Sequence, residues 1–447
     1  MKRTTLLIIL SICCGCGGRQ PYDITRFGAR TDSENNAAAI NKAIDKCHKS
    51  GGGTVVVPAG TFVTGTVILK SGVTLHLDND ATLKATENTD CYTSMSAVRD
   101  LSRYDSGEGT QNSNNSKDAR WNRALILASD ASDIAIEGEG TIDGCHVFDS
   151  EGEEHMRGPH TILFSNTENC RIEGVSIIRA ANYAFMAYAL KNGVFSNLKI
   201  QEGWDGIHIR GGENIDIKDC SFKTGDDAIA GGYWEGMNIH GCDINSSCNG
   251  IRIIMPVTDV KIDSCSFHGP GEFPHRTSGE KRRCNMLAAL NIQPGGWGKA
   301  YGDIDKVYIR DIVADNVATP LMATLNENNN CGTLSVERMT ATQVYGAPVS
   351  IESWKGGEFE NVNMKDVSVE FVGADNPSMA SLPVGPPPAD YRQLPCWALF
   401  AKNVKTLDFE NVSFSFSGKE YRPAFLFEDV GRKIFNQVDL PGIPKNP

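Results

Sequence analysis

The sequence predicts an all-β protein, a single-stranded right-handed parallel β-helix with an N-terminal capping helix. Short strand-like units recur with a period of 22–23 residues, and helical spacing occurs in one segment near the start. Within each unit apolar residues alternate with polar ones, and Gly or Asn marks the corners. The last apolar residues of five consecutive units are separated by 23, 22, 22 and 23 positions: Ile177, Ile200, Phe222, Ile244 and Phe267.

Successive coils of such a stack lie about 4.8 Å apart, so residues one period apart form a column. Cys220, Cys242 and Cys265 share one position of the repeat. We therefore expect them to be small apolar core residues and not metal ligands. Leucine-rich repeats have a similar period, but their fixed pattern of Leu and Asn is missing here.

One helix is expected at the N-terminal end of the stack. The apolar residues between Ala37 and Cys47 fall at helical spacing, and Gly51-Gly52-Gly53 ends the segment. A helix here would cover strand edges that would otherwise invite aggregation. The segments 86–122 and 377–388 break the period and are predicted to be loops on the stack, not domain boundaries.

The N-terminus predicts export. Lys2 and Arg3 precede a short apolar run and then a cluster of cysteines, which is typical of a bacterial lipoprotein signal. We predict a signal peptide over 1–15, lipidation at Cys16, a linker over 16–20 and one β-helix catalytic domain over 21–447. Cys13 is the alternative lipidation site, and an ordinary secretory signal is the alternative reading. The expected location is the bacterial cell envelope.

Charge and composition limit the partners. The net charge is −12 and the sequence pI is about 5.3, with no long basic run, so a nucleic-acid partner is not expected. Membrane contact is expected only through the lipid anchor, and the protein is predicted to be a monomer. Three of the 14 cysteines lie in the leader, and the other 11 include no CxxC pair, so neither a metal nor a cofactor is predicted.

Two aspartate motifs lie one repeat apart. Asp205 follows Gly203-Trp204, and Asp226 and Asp227 follow Gly225. Asp205 and Asp227 are separated by 22 residues, and Asn249 follows Asp227 by another 22. These three positions should share one column with Asp226 beside it. Clustered carboxylates of this kind are what general acid/base chemistry needs, whereas a single Gly-Asp-Asp would more often be a turn.

With these motifs the chain resembles glycoside hydrolase family 28, the polygalacturonase family of pectin-degrading β-helices. The resemblance covers most of the chain after the leader. It includes Phe27-Gly28-Ala29, the segments 51–62 and 138–144, and the aspartate motifs. Of the four family signatures, Asn-Thr-Asp is kept only in Asp205 and Gly-Asp-Asp is complete. Asn249 replaces the His of Gly-His-Gly, and Asn291 and Gln293 replace the Arg and Lys of Arg-Ile-Lys.

The resemblance implies inverting hydrolysis of a pectin-type or related acidic polysaccharide or oligosaccharide. Asp226 would be the acid, and Asp205 and Asp227 would hold and activate the water. Inversion needs carboxyl groups roughly 6.5–9.5 Å apart. In the family the Arg and Lys bind the carboxylate of the sugar, which the neutral Asn291 and Gln293 cannot do by charge.

Other residues are therefore expected to bind substrate. His208 and Arg252 follow inward-facing isoleucines and should face the cleft, and a basic loop over 275–283 could supply further charge. Trp204, beside Asp205, is predicted to stack on a sugar ring in preference to Trp297. Asn249, Asn291 and Gln293 are also expected to contact substrate.

Two alternatives stay open at this point. A polysaccharide lyase on the same fold would need Ca²⁺ and an Arg or Lys base, although the aspartates match the hydrolase sites. A non-catalytic envelope protein could keep the groove for glycan binding alone. The long loops also suggest action on chain ends.

Overall fold

In a computed structural model, which describes residues 20–96, 98–105, 114–276, 283–326 and 328–441, the strands are joined in one continuous parallel sheet. Each strand pairs with strands one coil before and one coil after it, so the sheet winds around a single core. The predicted right-handed parallel β-helix is confirmed. Cys16, the rest of the leader, and Lys281 and Arg282 of the basic loop lie outside the described residues.

The first coils contain these strands: β1 Tyr22–Asp23, β2 Gly53–Val57, β3 Gly60–Thr64, β4 Val67–Ile68, β5 Val73–Leu77, β6 Ala81–Ala85, β7 Ala124–Ser129, β8 Ser132–Gly138 and β9 Thr141–Asp143. The middle coils contain β10 His160–Glu173, β11 Ser176–Ile178, β12 Phe185–Ser196, β13 Lys199–Gln201, β14 Ile207–Lys218, β15 Ser221–Thr224, β16 Ile229–His240, β17 Asp243–Ser246, β18 Asn249–Ile253, β19 Val257–Asp263 and β20 Ser266–His268. The last coils contain β21 Ala288–Ile292, β22 Asp305–Asp315, β23 Leu321–Leu325, β24 Cys331–Val344, β25 Val349–Ser353, β26 Phe359–Phe371, β27 Leu399–Phe416 and β28 Phe425–Asp439.

Helical structure is sparse. The predicted capping helix is present as α1, Ala37–Lys49, whose buried face packs on the first coil. It ends immediately before the glycine triplet, because residues with positive φ follow at Gly51, Gly52 and Gly53. Short 3₁₀ helices lie in connecting segments: Ile24–Phe27, Thr89–Cys91, Ser102–Tyr104, Glu153–His155 and Pro377–Ser381.

The register between coils follows the sequence period. Ile207 in β14 pairs with Ile229 in β16, which pairs with Ile251 in β18. All three isoleucines are buried in the core, as the alternation predicts. Cys220, Cys242 and Cys265 are likewise 2% exposed members of that core, which agrees with their expected role.

A ladder of asparagines turns the long strands at one corner. Asn169, Asn192 and Asn214 all have φ between 52° and 57°, the left-handed conformation that Asn tolerates better than most residues. Each amide donates to the side chain one coil earlier, Asn192 to Asn169 at 3.0 Å and Asn214 to Asn192 at 2.8 Å. The ladder therefore satisfies its own polar groups at each turn of the stack.

The described helices include none that is long and apolar enough to cross a membrane. The segment after β6 and the segment between β26 and β27 project from the stack as loops, as predicted. A third long connection lies between β20 and β21 and contains His275, Arg276 and Arg283. Residues of all three connections line the cavity that contains the aspartates.

Candidate active site

The aspartates stand where one corner of the stack meets the next strand. Asp205 lies two residues before β14, Asp227 two residues before β16, and Asn249 begins β18. The backbone N–H of Gly206 donates to the carbonyl of Asp227, which fixes the two coils against each other. Gly206 is required here by space, since a Cβ would lie 2.5 Å from the carbonyl oxygen of Ala228. The predicted column is therefore present.

Asp227 is held by Asn249. The backbone N–H of Asn249 donates to Oδ1 of Asp227 at 3.0 Å, and its side-chain amide donates to the same oxygen at 2.8 Å. The other carboxylate oxygen faces Arg252 at 3.5 Å. Asn249 is fully buried, so it positions Asp227 and does not face substrate, contrary to the expectation from sequence.

Asp205 is held by a neutral histidine. Nδ1 of His208 lies 2.6 Å from Oδ2 of Asp205, and Nε of Arg210 donates to Nε2 of His208 at 3.1 Å. Because an arginine N–H can only donate, Nε2 must be the acceptor and Nδ1 must carry the proton. Burial, together with the charge of Arg210, holds the pKa of His208 well below its usual range. His208 thus acts as a fixed donor to Asp205.

Asp226 has the strongest cationic surroundings of the three. Its Oδ2 lies 3.2 Å from Nε2 of His275 and 3.8 Å from Nη2 of Arg157. Burial alone would raise the pKa of Asp226, but the charge and hydrogen bond of His275 and the charge of Arg157 hold it below its ordinary value. In the ligand-free protein Asp226 is therefore the carboxylate that ionises first.

The other two carboxyl groups have the opposite shift. Burial raises the pKa of Asp205 well above its usual range, and the nearby charges of Asp226 and Asp227 raise it further. Burial also raises the pKa of Asp227, against the opposing charge of Arg252. The cluster as a whole therefore retains a proton to higher pH than isolated carboxyl groups would, and the ligand-free geometry favours Asp205 or Asp227 as its location.

The carboxylates open into a cavity of about 400 Å³, a size common for small-ligand sites. Coil residues form its floor, and loop residues form its walls. The floor includes Tyr183, Asp205, His208, Arg210, Asp226, Asp227, Ala230, Cys248 and Arg252. The walls include Asn114, Glu153, Glu154, Arg157, His275, Arg283, Trp297 and Asp390.

Trp204 does not take the predicted stacking role. Its side chain is 2% exposed, and the guanidinium carbons of Arg157 and Arg276 lie 4.8 Å and 5.5 Å from its ring centre. Burial under two cations leaves no ring face for a sugar. Trp297 lines the cavity instead and is 39% exposed, with Arg252 5.4 Å from its ring centre.

Asn291 and Gln293 are covered by the segment before β27 and are not among the residues that line the cavity. Both are almost completely buried, and their amides donate to backbone carbonyls, Asn291 to Ala389 at 3.4 Å and Gln293 to Pro388 at 2.9 Å. The expectation that they contact substrate is therefore not met. His208 and Arg252 do line the cavity, as the strand alternation predicts.

Several cavity residues carry no signal in the repeat. Arg157, Glu153 and Asn114 come from connections before β10, and Asp390 comes from the connection before β27. Arg157 is 5% exposed and pairs with Glu154 at 2.9 Å. The one available signal is that these charged residues lie in segments that interrupt the period.

Among the described residues, Asp226, Asp227 and Cys248 form a group whose donor atoms lie within 4.8 Å of one another. The surroundings do not suit a cation. An Nη of Arg283 donates to Sγ of Cys248 at 3.2 Å, and Arg252 faces Asp227. Burial, followed by the charges of the two aspartates, raises the pKa of the Cys248 thiol well above its usual range, so the thiolate that a metal would need is disfavoured.

The family described as "Rhamnogalacturonase A/epimerase, pectate lyase-like" matches residues 22–252, just over half of the chain. The chain belongs to this family. A polygalacturonase of Nicotiana tabacum is 22% identical over 392 residues, covering 80% of this chain and 87% of that relative. The predicted resemblance to polygalacturonase-like, pectin-degrading enzymes is confirmed, and so is the prediction of a glycoside hydrolase.

Solved structures agree on the fold. The hyperthermoactive exopolygalacturonase of Thermotoga maritima matches with a TM-score of 0.64 at 18% identity, covering 89% of this chain and 92% of that one. PfbA, a surface adhesin of Streptococcus pneumoniae, matches with a TM-score of 0.57 at 15% identity, covering 96% and 94%. Because the identities are low, these likenesses show the β-helix architecture alone.

The raised pKa of Asp205 predicts a stability effect. A carboxyl group with a raised folded-state pKa stabilises the fold below its unfolded pKa of about 3.9, and that contribution is lost as pH rises through the folded pKa. Asp205→Asn should therefore raise the midpoint of thermal unfolding at pH 7, with the gain shrinking toward pH 4. An unchanged or lower midpoint at pH 7 would contradict the assigned direction.

Asp149 offers a matched control of opposite sign. It is also buried, but the backbone N–H of Glu151 and the side chains of Arg120 and Arg123 outweigh the effect of burial and lower its pKa. Its contribution to stability is present above the unfolded pKa and lost as pH falls through the folded pKa. Asp149→Asn should therefore lower the unfolding midpoint at pH 7.

Proposed function

We propose that this protein is an inverting hydrolase of a polygalacturonan-type acidic polysaccharide or oligosaccharide. Asp226 donates a proton to the glycosidic oxygen as the bond from that oxygen to the anomeric carbon breaks. Asp205 and Asp227 hold a water on the opposite face and take its proton as its oxygen bonds to the anomeric carbon. The products are an alcohol and a hemiacetal of inverted configuration.

The observation that best supports an acidic substrate is a set of cavity arginines whose N–H donors lack an acceptor among the described residues. Arg157, Arg252 and Arg283 line the cavity, and each has a buried N–H without a hydrogen-bond acceptor among the described residues: Nη1, Nε and Nε, respectively. Buried donors usually find partners, so an oxygen-rich anionic ligand is the natural acceptor. The names of the relatives, polygalacturonase and exopolygalacturonase, support a galacturonate sugar.

An acidic substrate would also favour the protonated form of Asp226, the proposed general acid. In the ligand-free cavity His275 and Arg157 keep the pKa of Asp226 low. A bound sugar carboxylate would neutralise part of that positive charge and raise the pKa of Asp226. A larger fraction of Asp226 would then be protonated at a given pH. Meanwhile the raised pKa of Asp227 makes its anion a stronger base toward water. Substrate charge thereby becomes part of the catalytic arrangement.

The first test replaces the acid. Asp226→Asn should reduce kcat by about 10²–10⁴-fold, the usual contribution of a general acid, while short oligosaccharides still bind. Asp243→Asn, at the exposed start of β17, serves as the matched control and should retain activity. Proton NMR of the first products formed by the parent protein should show inverted anomeric configuration.

Other outcomes of that test would redirect the assignment. Retained configuration would contradict the two-carboxylate inverting mechanism. Products with the absorbance of an unsaturated sugar, or loss of activity with a chelator, would favour a lyase. Unchanged binding with no turnover in either the parent or the variant would favour a glycan-binding protein.

The second test concerns recognition of the sugar carboxylate. Arg283→Gln keeps a polar side chain but removes the charge, and should raise KM on acidic oligosaccharides by roughly tenfold to a hundredfold. The same substrates with their carboxyl groups reduced should show no such change. Arg310→Gln is the control, because Arg310 pairs with Asp263 on the outer surface. An equal KM change on both substrates would assign Arg283 a structural role.

We also propose that the leader 1–15 is removed, that Cys16 is lipidated and that the β-helix over 21–447 is held in the cell envelope. The basic start, the short apolar run and the small residues before Cys16 support this proposal. Cys16→Ser should abolish metabolic labelling with a fatty-acid precursor. Labelling that is lost only in Cys13→Ser would move the site to Cys13. No labelling in the parent would favour an ordinary secretory signal.

A further inference from the structure

The segment 382–391, called here the proline segment, lies across the aspartate cavity at its C-terminal side. Two consecutive carbonyls of this segment accept three side-chain hydrogen bonds from the coils below. Arg252 donates to Ala389 at 2.9 Å, Asn291 donates to Ala389 at 3.4 Å, and Gln293 donates to Pro388 at 2.9 Å. Asn291 and Gln293 stand where the family signature has Arg and Lys, whose charges would be costly to bury. Their neutral amides donate to neutral carbonyls instead.

A second set of contacts anchors the chain just after the proline segment. Arg392 makes a bidentate pair with Glu352, at 2.8 Å and 2.7 Å, and Glu352 is fully buried. Leu394, Cys396 and Phe400 form a small apolar cluster to which Val384 of the proline segment adds. The segment is therefore fixed on both sides of Asp390, which lines the cavity.

Loop residues also line the opposite side of the cavity. The short helix Glu153–His155 contributes Glu153 and Glu154 to the lining, and Glu154 pairs with Arg157 at 2.9 Å. Arg210, from the catalytic floor, donates to the carbonyl of Asn114 at 2.8 Å. The N-terminal wall is thus tied to the same network that positions Asp205.

A polysaccharide that is cut in its interior must leave the site in both directions along the stack. Here Asn291 and Gln293 are at most 1% exposed beneath the proline segment, so the coil surface beyond the aspartates is covered toward the C-terminus and a bound chain cannot continue in that direction. We propose that the cavity accepts only chain ends, and that Asn291 and Gln293 set this specificity by holding the proline segment in place. Resting on the function proposed above, this makes the protein an exo-acting hydrolase.

The test compares products with viscosity on a long acidic polysaccharide, polygalacturonan. The parent protein should release one short product from the start, while viscosity falls little for each reducing end formed. A ladder of intermediate oligosaccharides with an early fall in viscosity would overturn the proposal. Oligosaccharides blocked at one end or the other would then identify which end enters.

Loosening the proline segment should change this pattern. Asn291→Ala combined with Gln293→Ala removes both amide hydrogen bonds to the proline segment, together with the one from Asn291 to Asn249, and should raise the population with the segment displaced by roughly tenfold to a hundredfold. Internal cleavage products should then appear, and KM for long chains should fall relative to KM for short ones. Unchanged product patterns in a folded variant would overturn the role of the two amides.

Asn36→Ala is the matched control, because Asn36 is a buried asparagine that donates to the carbonyls of Arg30 and Val63 at 3.0 Å and 2.9 Å near the capping helix. It should lower stability without producing internal cleavage. If the double variant does not fold, the single Gln293→Ala variant takes its place.

A binding measurement separates this proposal from the proposed reaction. Affinity of Asp226→Asn for acidic oligosaccharides of increasing length should stop rising after the first few sugars, because a closed cavity offers no further contacts. Affinity that keeps rising with length would overturn end recognition. A parent protein that hydrolyses nothing yet shows the plateau would refute the hydrolase and leave end recognition standing.

Discussion

The parallel register between successive coils is the constraint on which the rest of this structure depends. Ile207 pairs with Ile229 and Ile229 pairs with Ile251, so in these coils a strand residue lies above the residue 22 positions earlier. A shift of one residue would turn these isoleucines out of the core and the cleft residues into it. Core burial therefore fixes the aspartate column, because the register that stacks the isoleucines also stacks the turns that carry Asp205 and Asp227 two residues before them.

Within that column, neutral groups do the positioning and charged groups set the ionisation. Asn249 and the neutral His208 hold Asp227 and Asp205 without adding charge. His275 and Arg157 lower the pKa of Asp226, and Arg252 partly opposes the effect of burial on the pKa of Asp227. Had a cation stood at position 249, it would have lowered the pKa of Asp227 as well. Asn249 adds no charge beside Asp227, so the pKa of Asp227, the proposed base, stays raised.

The features that follow from local periodicity could be predicted from sequence: the fold, the capping helix, the buried cysteines and the column. The loop contacts could not, because Arg157 and Asp390 reach the cavity from segments with no repeat to place them. Trp204 illustrates the error that results. Its position beside Asp205 predicted stacking on a sugar, but Arg157 and Arg276 cover its ring, and both arrive from distant connections.

This division assigns chemistry and specificity to different parts of the chain. The coils supply groups whose positions are fixed by the stack, and changing one of them should alter the rate of bond cleavage. The loops supply the walls, and loops tolerate change because few main-chain hydrogen bonds depend on them. Asn291 and Gln293 lie at the junction, on a coil but bonded to the proline segment. A substitution of Gln293 can therefore reshape the wall and change which part of a polysaccharide enters, whereas a substitution of Asn291 also removes a hydrogen bond to Asn249, which holds Asp227.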